Sequence, residues 1–560
     1  MNFLQLAAAP ISVAFSKCAS VAITPVLKPN RTAGFDYQCN DVMSVAASAG
    51  MKPRDLADLI VAEIKSDPMF ADVSVGGPGF INLKLASGFV EKQVLNMRAT
   101  GDFGIEKVSA GQLVVIDFGG PNVAKPLHVG HLRSFVIGES LRRILKAVGY
   151  DVVSDIHWGD WGLQMGMLLH QISQQYPAAW ASEAVPKFDV HVLEEMYRTA
   201  SKAAKEDEAV LASARNLTQK LQAGDPYLLA VWTEMREVSL SSISGDITKL
   251  QAHFDLMLGE SDVNDALPAM LEELEAKGLL RASDGALVVD VAEGQPPLIV
   301  QKSDGAALYG ATDLATVVQR TKGMGASKIL YVVDQRQEQH LQSVFEVARK
   351  AGFDDGAEFT HVAFGTVNGK DGKPFKTRDG GVAKLSELLA STIDQAKTRV
   401  GDGNERIATQ IAIGALKFAD LLNDRQSGYI FDQERMMAPE GKTGPYLQYA
   451  CARIRGVVAK ANSSGGMDDA IAVEHEAERQ LLLTCLGFPL AVKAAADRYQ
   501  PKEISEFAFS VAQAFSRFYT ECQVVEAGKV NASRLAICQF VESVLAQCLY
   551  LLGIEVPERM

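Results

Sequence analysis

Residues 112–119, QLVVIDFG, run through GPNVAKPLHVGHLRS into an amphipathic helix, and no other stretch constrains the chain as strongly. The apolar run Leu113–Ile116 reads as a buried strand. Beyond the turn, Leu132, Phe135, Leu141, Ile144, Leu145 and Val148 recur at helical spacing, and YDVVSDIH at 150–157 supplies the next strand. Such a βαβ unit leaves its connecting turn at the carboxyl end of a sheet. There, open α/β folds bind ligands beside a positively polarised helix N-terminus.

In that turn stand His128, Val129, Gly130 and His131. The spacing puts both imidazoles on one side of the first helical turn, and Gly130 is expected to remove the Cβ that would block a flat base. Two imidazole donors so placed suit the charge that builds on phosphate oxygens during attack at the α-phosphorus. A bare HxGH string is weak; the strand before it and the helix after it give it weight.

The alternation of strands and helices extends from about residue 108 to 435, which predicts a doubly wound, Rossmann-like α/β domain. A charged, Ala-rich helical stretch at about 171–250 reads as an insertion. Residues 1–107 mix short helices and strands, a small α+β domain, and 436–560 carry helical periodicity, an all-α bundle. One predicted stripe of that bundle is Tyr446, Tyr449, Ala450, Ile454, Val457 and Val458.

Composition narrows the function classes. A net charge of −13 opposes bulk coating of nucleic acid, while local basic patches for a selective RNA remain open. Seven cysteines show no CxxC pair and no metal-ligand spacing with His, and they read as reduced structural thiols of a cytoplasmic protein, with no tightly bound metal. The opening MNFLQLAAAPISVAFSKCAS lacks a basic n-region and is read as an ordinary first helix. No stretch approaches roughly 18 uninterrupted apolar residues, so no membrane partner is expected.

The string PNVAKPLHVGHLRS resembles the form that arginyl-tRNA synthetases give to the HIGH signature of class I aminoacyl-tRNA synthetases. The resemblance continues in order through HWGDWGLQMG, GES at 259–261, QKSDGAALYGATDLA, YVVDQRQEQHL, GKDGKPFKTRDGG, YIFD, PYLQYACARI and LLGIEVPERM. It implies activation of L-arginine by ATP with Mg2+ and transfer of the aminoacyl group to the 2′-hydroxyl of the terminal adenosine of tRNA, with no DNA partner. It also implies a monomer, an anticodon-binding bundle, a tRNA-elbow module at the N-terminus and activation that depends on bound tRNA. The KMSKS string is absent. By resemblance Lys125, just before the histidine motif, takes part of its task.

NGKDGKPFKTRDGG has the glycines, Gly369, Gly372, Gly380 and Gly381, and the cations, Lys370, Lys373, Lys376 and Arg378, of a loop that closes over a triphosphate. A solvated basic hairpin reads the same way. Lys376 and Arg378 are candidate catalytic cations, and Gly365, Thr366 and Lys373 candidate ATP contacts. Arginine presents a planar fork of donors, so its pocket needs carboxylates or amides and a flat surface. Tyr309 and Asp313 fit that need at i, i+4 on a helix. By resemblance Asp117, Asn122 and Gln337 complete the set of arginine-binding positions. The loop HWGDWG, with Asp160 and with Gln164 just beyond it, is read as the wall near the ammonium and the adenylate. Gly119 and Gly120 stand where relatives usually carry at least one serine.

For RNA, strand alternation puts Phe80, Asn82 and Lys84 on one open face, able to grip an unpaired base or simply solvated. In the bundle Tyr446, Gln448, Arg453 and Arg455, and then Arg517 and Tyr519, are candidate anticodon contacts. Two other readings compete: a small-molecule nucleotidyltransferase, which has no need of the bundle, and a non-catalytic tRNA binder, which has no need of Lys125, His128 and His131.

Overall fold

The computed structural model describes residues 2–30, 32–107, 111–302, 309–375, 383–401, 404–462, 470–526 and 529–558. The first elements are α1 (Phe3–Ala19), β1 (Leu27–Pro29), β2 (Tyr37–Cys39), α2 (Val42–Ser48), α3 (Pro53–Ile64), β3 (Phe70–Gly76), β4 (Phe80–Leu85) and α4 (Ser87–Ala99). Their strands form one antiparallel sheet in the order β1-β2-β4-β3. Asn2 caps α1, and Phe3, Ala7, Ile11, Ala14 and Phe15 form its buried face.

Strand β4 buries Ile81, Leu83 and Leu85, as its alternation predicts. The open face expected for Phe80, Asn82 and Lys84 fails at Asn82, which is only 5 % exposed. Its Oδ1 accepts from Asn30 Nδ2 and Gln38 Nε2, each at 2.9 Å. Alternation along one strand cannot reveal polar partners on its neighbours, and a buried amide is stable only with such partners. Phe80 and Lys84 are half-buried.

The central region holds β5 (Leu113–Phe118), α5 (Val129–Ala147), β6 (Asp151–Asp155), the helices α6 (Leu163–Gln175), α7 (Pro177–Ala181), α8 (Val190–Glu206), α9 (Glu208–Gln222) and α10 (Pro226–Lys249), then α11 (Leu267–Ala276). Three strands follow, β7 (Leu280–Ser283), β8 (Ala286–Val289) and β9 (Leu298–Gln301), and then α12 (Tyr309–Val318), β10 (Lys328–Val332), α13 (Glu338–Ala351), β11 (Glu358–His361), β12 (Val367–Asn368), α14 (Leu385–Val400), α15 (Glu405–Leu421) and β13 (Tyr429–Ile430).

The core sheet is wholly parallel, in the order β11-β10-β5-β6. From β5 the chain moves outward to β6, then crosses back to β10 and β11. The strand order therefore reverses between β5 and β10, and the crevice at their carboxyl ends is the position where such sheets take ligands. Two parts of the region depart from strict alternation: β7, β8 and β9 form a separate antiparallel meander, and α14 and α15 follow one another as a helical pair.

The remaining elements are α16 (Gln433–Met436), α17 (Gly444–Asn462), α18 (Glu476–Leu486), α19 (Phe488–Arg498), α20 (Lys502–Glu521), the short hairpin β14 (Val525–Glu526) and β15 (Lys529–Val530), and α21 (Ala532–Leu551). In α17 the buried stripe is Leu447, Ala450, Cys451 and Ile454, and Tyr449, predicted within it, is 46 % exposed. Residues 476–498 and 532–551 have the length and apolar character of membrane spans, yet 50 % and 61 % of these windows is buried inside the protein. They form the bundle's interior. All seven cysteines are free thiols, and all but Cys18 are buried.

The end of α21 docks on α5. Ser140 Oγ donates to Leu551 O at 2.9 Å, Arg143 Nη1 to Tyr550 O at 2.8 Å, and Lys417 Nζ of α15 to Gly553 O. Carbonyls left without helical partners at a helix C-terminus are thus satisfied by donors from the central region, two of them basic side chains that suit the dipole there.

Candidate active site

The two histidines of the turn cap α5 reciprocally. Gly130 N donates to His128 Nδ1 at 3.0 Å, and His128 N donates to His131 Nδ1 at 2.9 Å. Because each Nδ1 accepts, each ring carries its proton on Nε2. The rings lie 3.9 Å apart at 35°. Burial pushes His131 down to about 3, and the His128 ring adds to the effect. Burial, then the nearby Arg336 and Lys125, also lower His128. The pair therefore offers neutral Nε2–H donors. Gly130 is needed for a reason internal to this cap: a Cβ there would stand 2.8 Å from His128 Cε1.

Around this cap the chain is held from three sides. Val129 N donates to Ala383 O at 3.0 Å and Leu385 N to Leu127 O at 2.9 Å, so the segment that follows the basic loop returns to the histidine turn. Lys376 and Arg378 themselves lie outside the described residues, as do Gly380 and Gly381. Lys373 is exposed at the tip of a hairpin closed by Gly369 N to Lys373 O, 2.8 Å. Lys370 lies 3.6 Å from Asp432. The helical insertion supplies the other braces: Lys125 Nζ sits 4.4 Å over the Tyr197 ring, Ala124 N is held to Ser239 Oγ at 2.9 Å, and Lys384 pairs with Glu194 at 2.7 Å. Tyr197, Ser239 and Glu194 belong to α8 and α10, so the helical insertion braces the histidine turn.

Gly365 and Thr366 follow β11. Gly365 is buried, its carbonyl accepts from Arg133 Nη1 at 2.9 Å, and a Cβ there would lie 2.7 Å from Gly428 N. Thr366 Oγ1 donates to Asn368 Oδ1 at 2.8 Å. Arg133, itself buried, is paired with Asp420 at 3.1 Å, which ties α5 to α15.

At the end of β5, Asp117 is buried and already holds a guanidinium: Arg320 Nη2 is 2.7 Å from its Oδ2 and 2.8 Å from Asp155 Oδ2. Asp117 was expected to face a substrate directly; its Oδ2 instead faces an internal cation that no sequence pattern singled out. Burial pushes the Asp117 carboxyl up. At Asp155 the burial effect is outweighed by His157 and Arg320, which hold that carboxyl below its ordinary range. Gly119 has φ +99°, with Phe135 and Ile156 side-chain atoms 3.0 and 3.1 Å from where a Cβ would be, so a serine at 119 would be strained in this backbone conformation.

Asn122 pairs with the HWGDWG loop: Gly159 N donates to Pro121 O at 2.9 Å, and a Cβ on Gly159 would lie 2.6 Å from Asn122 Oδ1. His157 takes φ +33°, and neither ring nitrogen has a hydrogen-bond partner among the described residues, its Nδ1 standing 3.6 Å from Asp155 Oδ2. Asp160 does not line a cavity wall. It is fully buried and committed to Ser261 N, Ser261 Oγ and Arg236 Nε at 3.0, 2.8 and 3.1 Å. Gln164 Nε2 donates to Gly159 O at 2.7 Å. The effect of Asp160 is to fix the Gly259–Ser261 turn and with it Glu260.

Glu260 is the acidic residue that sequence reading missed, although it lies within the GES string. Burial, then the neighbouring Asp313 and Asp160, push its carboxyl up to about 7. Raised acids near a cleft mark sites built for a cationic or protonic partner. Tyr309 and Asp313 share a face of α12, Tyr309 being 60 % exposed, and exposed Gln337 ends the turn between β10 and α13. Histidine turn, acidic pair and amides thus gather around the reversal of the sheet.

The expected RNA contacts divide. Gln448 is fully buried, its Nε2 donating to Gln410 O and Glu555 O at 2.9 and 2.7 Å, and cannot meet a ligand. Arg455 is paired with Glu542 and Arg517 with Glu521. Tyr446 is half-buried, its hydroxyl 3.3 Å from Ser516 Oγ. Arg453 is exposed and stacks 4.0 Å over Tyr519. A cleft of about 1110 Å³ that sequence reading did not locate opens beside α14, α15 and α17, lined by Arg399, Arg406, Gln410, Met437 and Tyr449.

Three family models match the chain: the arginyl tRNA synthetase N terminal domain over residues 6–85, the catalytic domain of tRNA synthetases class I (R) over 93–433, and the DALR anticodon binding domain over 447–560. The arginine–tRNA ligase of Maricaulis maris is 41 % identical over 551 residues, and that of Francisella tularensis subsp. novicida 40 % over 544, each alignment covering 94 % of both chains. In fold, the chain superposes on arginyl-tRNA synthetases from Plasmodium falciparum (TM-score 0.82, 24 % identity) and Thermus thermophilus (0.78, 23 %), with complete coverage of both chains in each pair.

Proposed function

The chain belongs to the class I arginyl-tRNA synthetases and is an arginine–tRNA ligase that consumes ATP, and from that premise we propose that its chemistry runs in the crevice between the ends of β5 and β10. The observation that carries the site is the reciprocal histidine cap at that crevice, with the segment after the basic loop hydrogen-bonded to it.

ATP enters as its magnesium complex. A carboxylate oxygen of arginine attacks the α-phosphorus in line, the bond to the β-phosphate oxygen breaks, and pyrophosphate leaves. His128 and His131 donate Nε2–H to oxygens that gain charge in the transition state, which neutral imidazoles do without repelling the magnesium. Lys125, Lys373, Lys376 and Arg378 neutralise the departing phosphates, and Gly365 and Thr366 line the nucleotide's path. The 2′-hydroxyl of the terminal adenosine then attacks the adenylate carbonyl, loses its proton, and AMP departs.

Arginine is held by Tyr309, Asp313, Glu260, Asn122 and Gln337, with Asp117 and Arg320 as the charged floor beneath. Two carboxylates facing one guanidinium favour arginine over any side chain that lacks the fork, by as much as about 10⁴ to 10⁵ for sites built on hydrogen bonds. The raised Glu260 fits this role: the cation that would lower its pKa is the substrate. For RNA, half-buried Phe80 and exposed Arg453 are the remaining candidate contacts, Asn82 acts by holding β4 in shape, and the cationic cleft with Tyr449 receives the single-stranded anticodon loop, since stacking and charge suit unpaired bases. The enzyme works as a cytoplasmic monomer.

One assay tests the reading. Purified enzyme, ATP and total tRNA are offered each amino acid in turn. Charging with arginine alone is the expected result, and charging with another amino acid or with none rejects it. Pyrophosphate exchange with and without tRNA tests dependence of activation on tRNA, and equal rates reject that coupling.

A further inference from the structure

Asp313 sits on α12, where its carboxylate can turn about two side-chain bonds, yet it is held from the opposite wall. His340, in the first turn of α13, donates Nε2–H to Asp313 Oδ2. The same imidazole packs in a T-shaped arrangement with Tyr309, ring centres 4.7 Å apart at 60°. Tyr309 and His340 line one cleft of about 370 Å³ together with Arg336 and Gln339. One ring therefore indexes both α12 residues of the arginine pocket against the wall that carries Gln337.

We propose that His340 is a positioning residue for guanidinium recognition, fixing Asp313 Oδ2 and the Tyr309 ring so that Oδ1 is presented to the substrate fork. The inference rests on the reading of Tyr309 and Asp313 as arginine contacts. Among the described residues Oδ1 accepts no hydrogen bond, so fixing Oδ2 leaves one oriented acceptor. A carboxylate ordered before binding does not lose that freedom when arginine arrives, which is the general origin of affinity through preorganisation. Histidine suits the task because its short, rigid ring reaches Asp313 Oδ2 from α13 and leaves Oδ1 open. A lysine or arginine at 340 would compete with the substrate for Asp313.

The test is aminoacylation kinetics with tRNA in the full-length enzyme, comparing His340→Ala, His340→Gln and Asp313→Ala. His340→Ala is expected to raise KM for arginine by about tenfold or more, the effect of losing a hydrogen bond to a charged group. Its kcat should stay within about threefold, because the lost interaction serves ground state and transition state alike. The preference for arginine over lysine should fall with it. His340→Gln, whose amide Nε2–H replaces the imidazole donor to Asp313 but not the ring contact with Tyr309, should recover part of the loss, which a role confined to packing would not allow. An unchanged KM in His340→Ala, a fall in kcat alone, or no recovery with Gln overturns the proposal. Asp313→Ala separates the two layers: if it leaves KM unchanged, the pocket itself is misread, whereas a raised KM there with none in His340→Ala sinks only the positioning role.

Discussion

Arg320 lies 2.7 Å from Asp117, beneath the crevice and with 1 % of its side chain exposed, and the same Nη2 reaches Asp155 at 2.8 Å. It stands on the π-helical turn Gln319–Gly323 that continues α12. The helix that presents Tyr309 and Asp313 is thereby tied by a buried ion pair to the ends of β5 and β6.

Replacing Arg320 with Met should be strongly destabilising, because it leaves two buried carboxylates without their cation. Loss of one partner of a buried ion pair costs about 3–5 kcal/mol. Thermal and urea unfolding check this, and transitions equal to those of the unmodified enzyme would show that the clamp carries no such weight.

His131→Asn separates cap from chemistry. The Asn oxygen can accept from His128 N as the N3 member of the capping box, while the Nε2–H donor is gone. Activation, measured by pyrophosphate exchange with tRNA present, should fall by about 10² to 10³, with little change in melting temperature at pH 8. At lower pH the stability comparison changes sign. The folded His131 titrates at about 3 against an ordinary 6.5, so the unfolded chain binds the extra proton and the native protein loses stability as pH falls from 6.5 toward 3. The Asn variant should lack that share of the slope, and parallel pH–stability curves would contradict it.

Glu260, raised to about 7 by burial and then by Asp313 and Asp160, makes arginine binding depend on pH. A guanidinium favours the ionised form, so binding releases a proton below that value, and KM for arginine should drop as pH rises from 6 to 8. Glu260→Gln should weaken binding and flatten the profile. A variant that keeps the full pH dependence places the titrating group elsewhere.

Lys417 is buried against the tail, and burial, then Arg143, push it down to about 7 from 10.5. Between those values the unfolded chain holds one more proton, so this lysine's contribution makes stability rise with pH from 7 to 10.5, and its full penalty is present below 7. Lys417→Met should remove that slope, seen as a smaller gain in melting temperature between pH 7 and 10. An unaltered gain would mean that the amine stays charged in the fold.

The βαβ unit, the three-part division into sheet domain and flanking domains, and the histidine turn were all legible because each is a local pattern: periodicity, a helix start, a string in order. Asp160 and Gln448 were misjudged for the same reason. Polar type and loop position suggested ligand contact, yet Ser261 and the Arg236 charge engage Asp160, and Gln410 and Glu555 take the hydrogen bonds of Gln448, all from remote parts of the sequence. Glu260 was passed over because its raised carboxyl arises from burial beside Asp313, which lies 53 residues further on.

By itself the amino-acid order determined which segments become strand or helix, and which family's chemistry this protein carries, since both are written in spacing along the chain. Only the tertiary structure decided which polar groups are free to meet a ligand. A buried donor or acceptor must find a partner somewhere, and whether that partner is a substrate or a distant side chain such as Arg320 depends on how the layers close.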